Sequence, residues 1–121
     1  MKIRFVLSLF FAMALAIPLA APLMAQDQSQ PQRVEIVAKR FAYTPSEITL
    51  KKGVPVVLVL TSEDVSHGLK FKKLGINIKA KKGKSDEVKF TPTQTGDFVG
   101  ECSVFCGSGH GSMKMTLHVT E

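Results

Sequence analysis

Residues 96–119 read GDFVGECSVFCGSGHGSMKMTLHV and carry the strongest structural signal of the chain. Apolar and polar residues alternate at both ends of this segment, over residues 96–101 and 113–119, and a period of two is typical of half-buried β-strands. The part between them contains three glycines, which let a loop fold tightly. The segment therefore predicts two strands joined by a loop whose side chains converge on one point.

This loop holds four side chains that bind metals, namely Cys102, Cys106, His110 and Met113. Thiolate and thioether are soft donors that suit copper(I), and imidazole suits both oxidation states of copper. Zinc sites gain little from methionine, and calcium or magnesium need oxygen ligands that the loop does not offer. The donor set therefore predicts a copper site.

The rest of the domain repeats the alternation in short segments. The first covers residues 34–39 and extends through residues 41–43, and the others cover residues 48–50, 54–60, 67–71, 76–80 and 87–90. With the two C-terminal segments there are about eight strands at intervals of roughly ten residues. That spacing predicts an all-β fold, a β-sandwich with Greek-key connections.

Two histidines lie outside the loop. In the last strand Met113, Met115, Leu117 and Val119 share one parity and are expected to face the core, which leaves His118 as a solvated surface histidine. His67 follows an apolar strand and a polar turn. Loops at one end of a sandwich gather residues that are distant in sequence, so His67 is a candidate ligand, although alone it is more often a surface residue.

The N-terminus predicts export. A short basic segment precedes an apolar run over residues 5–17, and small residues follow it, as in a signal peptide. The predicted organisation is a cleaved signal peptide at 1–25, a flexible linker at 26–32 and one small domain at 33–121, in the periplasm or outside the cell. An uncleaved membrane anchor is the alternative, because the run without charge up to residue 23 is just long enough to span a bilayer.

The two cysteines allow a second interpretation. In an exported protein a cysteine pair forms a disulfide by default, although a bridge that closes so short a loop stabilises little. His110 alone is a loop histidine, and Met113 alone is ordinary core packing. The combined spacing, Cys-x3-Cys-x3-His-x2-Met, favours copper over the disulfide.

The chain carries a formal net charge of +6, and much of it is local. The basic stretch consists of Lys70, Lys72, Lys73, Lys79, Lys81, Lys82, Lys84 and Lys89. It is interpreted first as a solvated sheet face, and alternatively as a docking surface for an acidic partner or an anionic membrane. Nucleic acid is excluded, because no aromatic residues alternate with the lysines as stacking platforms and the chain is exported.

The residues Cys102-Ser103-Val104-Phe105-Cys106, followed by His110 and Met113, resemble the CuA-binding motif of cytochrome c oxidase subunit II and of nitrous oxide reductase. The segment Val65-Ser66-His67 resembles the one that carries the first histidine of that family. The resemblance implies a cupredoxin domain with two copper ions bridged by both cysteines. It further implies one histidine on each copper, with Met113 and the backbone carbonyl of Val104 as weak ligands.

Several features depart from that family. Subunit II has acidic character at the position of Val104, where its side chain meets a magnesium site, so no second metal is expected here. The chain has no tryptophan, and Phe98 and Phe105 stand in only partly for the aromatic residues near copper. The transmembrane hairpin of the subunit is also missing, which predicts a free-standing domain. A basic surface fits poorly with a basic cytochrome c.

The resulting hypothesis is a monomeric one-electron carrier, not an enzyme, that exchanges electrons with a redox protein of acidic character. One alternative within copper chemistry is a mononuclear blue-type site that uses His67, Cys106, His110 and Met113. A second alternative is a carrier that delivers copper to another protein. A third is a disulfide-stapled binding domain without metal.

Overall fold

The computed structural model describes residues 30–121, which fold into nine strands arranged as two sheets. The predicted signal peptide and most of the predicted linker lie outside the described residues. The strands are β1 (Gln32–Lys39), β2 (Ala42–Thr44), β3 (Glu47–Lys51), β4 (Val56–Ser62), β5 (His67–Phe71), β6 (Ile76–Ala80), β7 (Ser85–Phe90), β8 (Gly96–Glu101) and β9 (Lys114–Thr120). Two short 3₁₀ helices cover Lys72–Leu74 and His110–Ser112. The predicted all-β sandwich is confirmed.

One sheet has the strand order β2-β1-β4-β7 and the other has the order β3-β9-β8-β5-β6. The pairs β1 with β4 and β3 with β9 are parallel, whereas the remaining pairs are antiparallel. Parallel neighbours must be joined by a crossover, so the chain passes between the two sheets several times. Among residues 30–121 no helix is long and apolar enough to cross a membrane.

The core lies between the sheets and follows the alternation of the sequence. Ile36, Leu58 and Leu117 are fully buried, and each such side chain contributes about 1.5–3 kcal/mol to folding. Five consecutive residues of β4 are buried, as expected for a central strand covered on both sides. Met113, Met115, Leu117 and Val119 are all buried, which confirms the predicted core face of the last strand.

The structure contains one strand more than the sequence predicted. Residues 41–43 do not extend β1 but turn back, so that β2 pairs with β1 in antiparallel fashion with Tyr43 opposite Ala38. The buried residues are even-numbered in β1 and end at Ala38, whereas the buried residue of β2 is Tyr43, so the alternation changes phase at the turn and the prediction of one extended strand was wrong. The hairpin buries Tyr43 and leaves Phe41 half-buried beside the C-terminal loop.

Three strand ends meet at one edge of the second sheet. Strand β5 begins at His67, β8 ends one residue before Cys102, and β9 begins one residue after Met113. Since β5 and β9 both pair antiparallel with β8, these ends lie side by side. We call this edge the metal end, because it places the predicted ligands together.

Candidate metal centre

Both cysteines are buried and free. Their sulfurs are 3.6 Å apart, well beyond the disulfide bond length of about 2.05 Å. In zinc sites the sulfur ligands lie about 2.3 Å from the ion. One ion of similar size can therefore reach both sulfurs without a large shift of the loop. The disulfide is therefore not formed in this structure, and Cys102 and Cys106 present two soft donors to the same point.

His67 faces the same point. Its ring is fully buried, and its Nε2 atom lies 2.7 Å from Oδ1 of Asp64. Its other nitrogen, Nδ1, is the one buried side-chain nitrogen or oxygen in residues 30–121 that has no hydrogen-bond partner. An unpaired buried polar atom is costly unless something binds it. Ligand atoms of His67, Cys102 and Cys106 all lie within 4.8 Å of one another, which fits a soft metal ion.

The remaining predicted ligands lie beside the two cysteine sulfurs. The sulfur of Cys106 lies 3.7 Å from Nδ1 of His110 and 3.8 Å from Sδ of Met113, which is fully buried. The carbonyl oxygen of Val104 lies 3.1 Å from the sulfur of Cys102. All six residues predicted as ligands therefore border one small volume at the metal end.

Asp64 and Arg40 also contact the predicted ligands, although the sequence pattern assigns them no role. The backbone N–H of Arg40 donates to Oδ2 of Asp64 at 2.8 Å, while Oδ1 of the same carboxylate lies against His67. The guanidinium Nε of Arg40 donates to the carbonyl of Cys106, also at 2.8 Å. One turn thus ties together the histidine and cysteine sides of the centre. The spacing of Asp64, three residues before His67, was the available signal.

Phe41 packs directly beneath the ligand loop. A side-chain carbon built at Gly109 would lie 2.4 Å from the Phe41 ring, and one built at Gly107 would lie 2.9 Å from it. Gly107 also has a φ of 137°, which residues with a side chain rarely adopt. These glycines are therefore required for the close approach, as the sequence analysis expected of a tight loop.

Burial and neighbours set the protonation of the centre. Desolvation and then the nearby Cys102 raise the pKa of the Cys106 thiol to about 11. Burial also raises the pKa of Tyr43, whose hydroxyl donates to the carbonyl of Gly68. Desolvation opposes ionisation of Asp64, but the Arg40 N–H, His67 and the Val65 N–H donate to its carboxylate and keep its pKa well below the usual range. Cys106 is consequently a neutral thiol until a metal displaces its proton.

The two phenylalanines named from the sequence differ in position. Phe105 is 78% exposed, and its ring centroid lies 5.6 Å from that of His110. Phe98 is buried in strand β8, at 7% exposure, and takes no part in the surface of the ligand loop. Only Phe105 of the two phenylalanines is therefore placed to contact a partner near the metal ligands.

His118 is not simply solvated, because its ring is half-buried and Nδ1 lies 2.6 Å from Asp97.

Comparison with known proteins agrees with the motif. A family model described as the periplasmic domain of cytochrome C oxidase subunit II matches residues 26–120. Two curated cytochrome c oxidase subunit 2 chains of Thermus thermophilus are each 33% identical over 106 residues, or 86% of this chain. These residues span 78% of the first relative and 63% of the second, less than two thirds of its length. The resemblance drawn from the loop residues is confirmed.

A solved structure gives the same fold. The periplasmic domain of subunit II of cytochrome oxidase (CoxB) of Bradyrhizobium japonicum superposes with a TM-score of 0.69 at 22% identity. The match covers 74% of this chain and 84% of that one. At this identity the likeness establishes the cupredoxin-like fold alone, and the assignment to a family comes from the sequence matches.

Proposed function

The chain belongs to the family of cytochrome c oxidase subunit II periplasmic domains, and we propose that it is a periplasmic one-electron carrier with a binuclear copper centre of the CuA type. The observation that carries the proposal is buried His67, which has an unpaired Nδ1 and offers a ring nitrogen within 4.8 Å of two free sulfurs. Copper supplies a one-electron couple when bound. We propose electron transfer without any substrate chemistry at the centre.

Each residue has a role in this proposal. Cys102 and Cys106 would both hold the pair of ions, and His67 and His110 would each hold one of them. Met113 and the carbonyl of Val104 would be weak ligands. Asp64 contacts Nε2 of the His67 ring and would leave Nδ1 for the metal. Histidine ligands are commonly oriented in this way, by a carboxylate that binds the ring nitrogen not used for the metal.

Two ions are favoured over one by the pair of sulfurs. A blue-type site on His67, Cys106, His110 and Met113 would leave Cys102 as a buried thiol only 3.6 Å from the occupied sulfur. With two ions both sulfurs are ligands, and both buried thiols lose their protons to metal. We therefore place the mononuclear centre second.

Copper stoichiometry together with electron paramagnetic resonance tests the proposal. The loaded protein is expected to hold two copper ions per chain and to show hyperfine coupling to two equivalent copper nuclei. Cys102→Ser is expected to bind at most one ion, whereas Ser108→Ala, an exposed change in the same loop, is expected to keep both. One ion and coupling to one nucleus in the unaltered protein would reject the binuclear centre.

Copper delivery is the second candidate function. A carrier must release its metal readily, yet His67, Cys102, Cys106 and Met113 are all at most 5% exposed. Release from such a site requires the loop to open. We therefore expect a reversible voltammetric wave and slow loss of copper to a competing chelator, and rapid loss without a wave would favour delivery.

The remaining parts of the proposal concern the setting of the domain. We propose a cleaved signal peptide over residues 1–25, a linker over 26–32 and a monomeric domain over 33–121 that exchanges electrons with another redox protein. N-terminal sequencing of the exported protein tests the cleavage, and light scattering tests the monomer. Service to an oxidase, by analogy with the curated relatives, belongs to the same proposal.

A further inference from the structure

The lysine-rich stretch is divided by the fold into two groups. Lys72 and Lys73 follow the C-terminal end of strand β5. This end is four residues from His67 at the start of the strand, or roughly 13 Å along an extended chain. Lys79 and Lys81 lie instead at the metal end, where they border His67. The sequence shows one basic run, but only part of it can act near the metal ligands.

The lysines at the metal end form a group that we call the basic rim, Lys79, Lys81, Lys82 and Lys84. Ser62 holds the backbone of Lys82 and Lys84 in place. It forms a β-bridge with Lys82, and its N–H donates to the carbonyl of Lys84. All four lysines are exposed. Within the described part of the chain none of the four forms an ion pair. Their charge is therefore free to act on a partner.

The rim borders an apolar recess above the metal ligands. The recess is lined by Ser66, His67, Lys79, Ala80, Lys81 and Val104. His67 lies at its floor, and Val104 is adjacent in sequence to Phe105, the most exposed large apolar side chain in residues 30–121. Surfaces for brief protein contacts combine a small apolar centre with a charged edge. This surface has both parts, and its recess is lined by His67 and Val104, two of the proposed copper ligands.

We propose that the basic rim and Phe105 form the docking surface for an acidic one-electron redox protein, which exchanges its electron with the copper centre across the recess. This inference rests on the proposed electron-transfer function and adds the partner and its position. The partner loses or gains one electron and the centre gains or loses it, with no bond formed and no proton moved. Attraction between opposite charges raises the rate of encounter, and salt weakens it.

Acidic groups near the metal end do not cancel the rim. Asp64 is engaged by His67 and by the N–H groups of Arg40 and Val65. Glu101 lies opposite Lys70 and Lys114 in the sheet, so cationic neighbours face it on both sides. Glu63 and Asp86 are further acidic residues next to the four lysines of the rim. The balance at the recess is therefore positive.

A protein partner is favoured over an anionic membrane by the shape of the surface. A recess that lies beside one exposed aromatic ring can receive a protruding edge of another protein, whereas a bilayer offers a flat surface. Membrane binding also requires several basic residues in one plane and gains about 1 kcal/mol from each. Two of the rim lysines, Lys79 and Lys81, instead line a concavity. Binding to vesicles is thus the competing outcome of the test.

The test compares two double variants that remove the same charge. Lys79→Glu with Lys81→Glu alters the rim, and Lys72→Glu with Lys73→Glu alters the far end of the same stretch. The probes are mitochondrial cytochrome c, which is basic, and the same protein succinylated at its lysines, which is acidic. Binding is measured by titration calorimetry at low and at physiological salt, with the metal-free protein as well as the copper-loaded one.

The unaltered protein is expected to bind the succinylated cytochrome at least about tenfold more tightly than the native one, with the preference falling as salt rises. The rim variant is expected to lose this preference and the far-end variant to keep it. Equal effects of the two variants, or tighter binding of the native cytochrome, would overturn the inference. So would rim-dependent binding to phosphatidylglycerol vesicles without binding to the succinylated cytochrome.

Electron exchange with the same two cytochromes, followed by stopped-flow absorbance, separates this inference from the function on which it rests. Rim-dependent binding without any electron exchange would reject the electron-transfer function and leave a docking surface. Exchange that is fast but insensitive to the rim would keep the function and reject the docking surface. Phe105→Ala is expected to slow exchange with the acidic probe while leaving copper content unchanged.

Discussion

Replacing Gly109 by alanine tests whether the Phe41 ring sets the position of the ligand loop. A side-chain carbon at residue 109 would lie 2.4 Å from two ring atoms of Phe41. Ordinary contacts between carbon atoms begin near 3.4 Å, so the ring or the loop must move by about 1 Å. Gly111 lies two residues away in the same loop and has nothing within 4 Å of its built carbon. It is therefore a matched control.

The expected cost follows from two opposing effects. Overpacking of this kind costs about 1–3 kcal/mol. Gly109 has a φ of −90°, which alanine can adopt. Alanine also lowers the conformational entropy of the unfolded chain, and this effect alone would stabilise the protein by about 0.4–1 kcal/mol. The net fall in the free energy of unfolding is about 1–2 kcal/mol, or a fall in Tm of roughly 5–15 °C for a domain of this size. Gly111→Ala is expected to be neutral or slightly stabilising.

Urea unfolding of the metal-free variants measures the stability, and copper titration measures the site. Gly109→Ala is also expected to weaken copper binding, because the loop that carries Cys106 and His110 must shift. In a Phe41→Ala background the same change should cost little, which a double-mutant cycle would show as a coupling of the same size as the original loss. Equal midpoints for the two glycine variants would refute the contact with Phe41.

Three further predictions follow from individual contacts. Met113→Leu keeps the buried volume and is expected to change the free energy of unfolding by less than about 1.5 kcal/mol, while it alters the visible spectrum of the copper-loaded protein. The pKa of His118 is raised chiefly by its hydrogen bond to Asp97, so this pair stabilises the fold fully below about pH 6.5 and its contribution is lost as the pH rises through the raised pKa. Urea titrations should therefore separate Asp97→Asn from the unaltered protein near pH 6 and not near pH 9, and an equal difference at both would contradict the assignment. The Cys106 pKa of about 11 means that copper must displace a proton, so apparent copper affinity should rise with pH between about 6 and 8 and proton release should accompany titration; an affinity independent of pH over that range would disagree.

The alternation of residues was sufficient to predict the sandwich, because a strand with one buried face leaves a period of two in its sequence. It predicted β4 as the central strand and the core face of β9 correctly. It did not predict β2, although the alternation changes phase at the turn, from buried even-numbered residues up to Ala38 to buried Tyr43 five residues later. Such a hairpin is determined by the pairing of its strands in space, and the sequence pattern carries no record of that pairing.

The residues predicted to bind metal could be recognised from their spacing in the sequence. The contacts that hold these residues in place could not. Cys102, Cys106, His110 and Met113 are close in sequence, so their convergence follows from one short loop. The support comes from contacts between distant segments, such as the Arg40 guanidinium on the Cys106 carbonyl. Hydrogen bonds of this kind depend on tertiary placement and leave no local periodicity.

The turn at Arg40 holds the glycine-rich ligand loop next to His67, which comes from another part of the chain. Its N–H holds Asp64, which orients His67, and its side chain holds the carbonyl of Cys106. The neighbouring Phe41 ring occupies the space that side chains at Gly107 and Gly109 would fill. The glycines therefore do not make the loop flexible in the folded protein. They let it lie against the Phe41 ring, and ligand atoms of His67, Cys102 and Cys106 lie within 4.8 Å of one another before metal arrives, which lowers the reorganisation that copper binding requires.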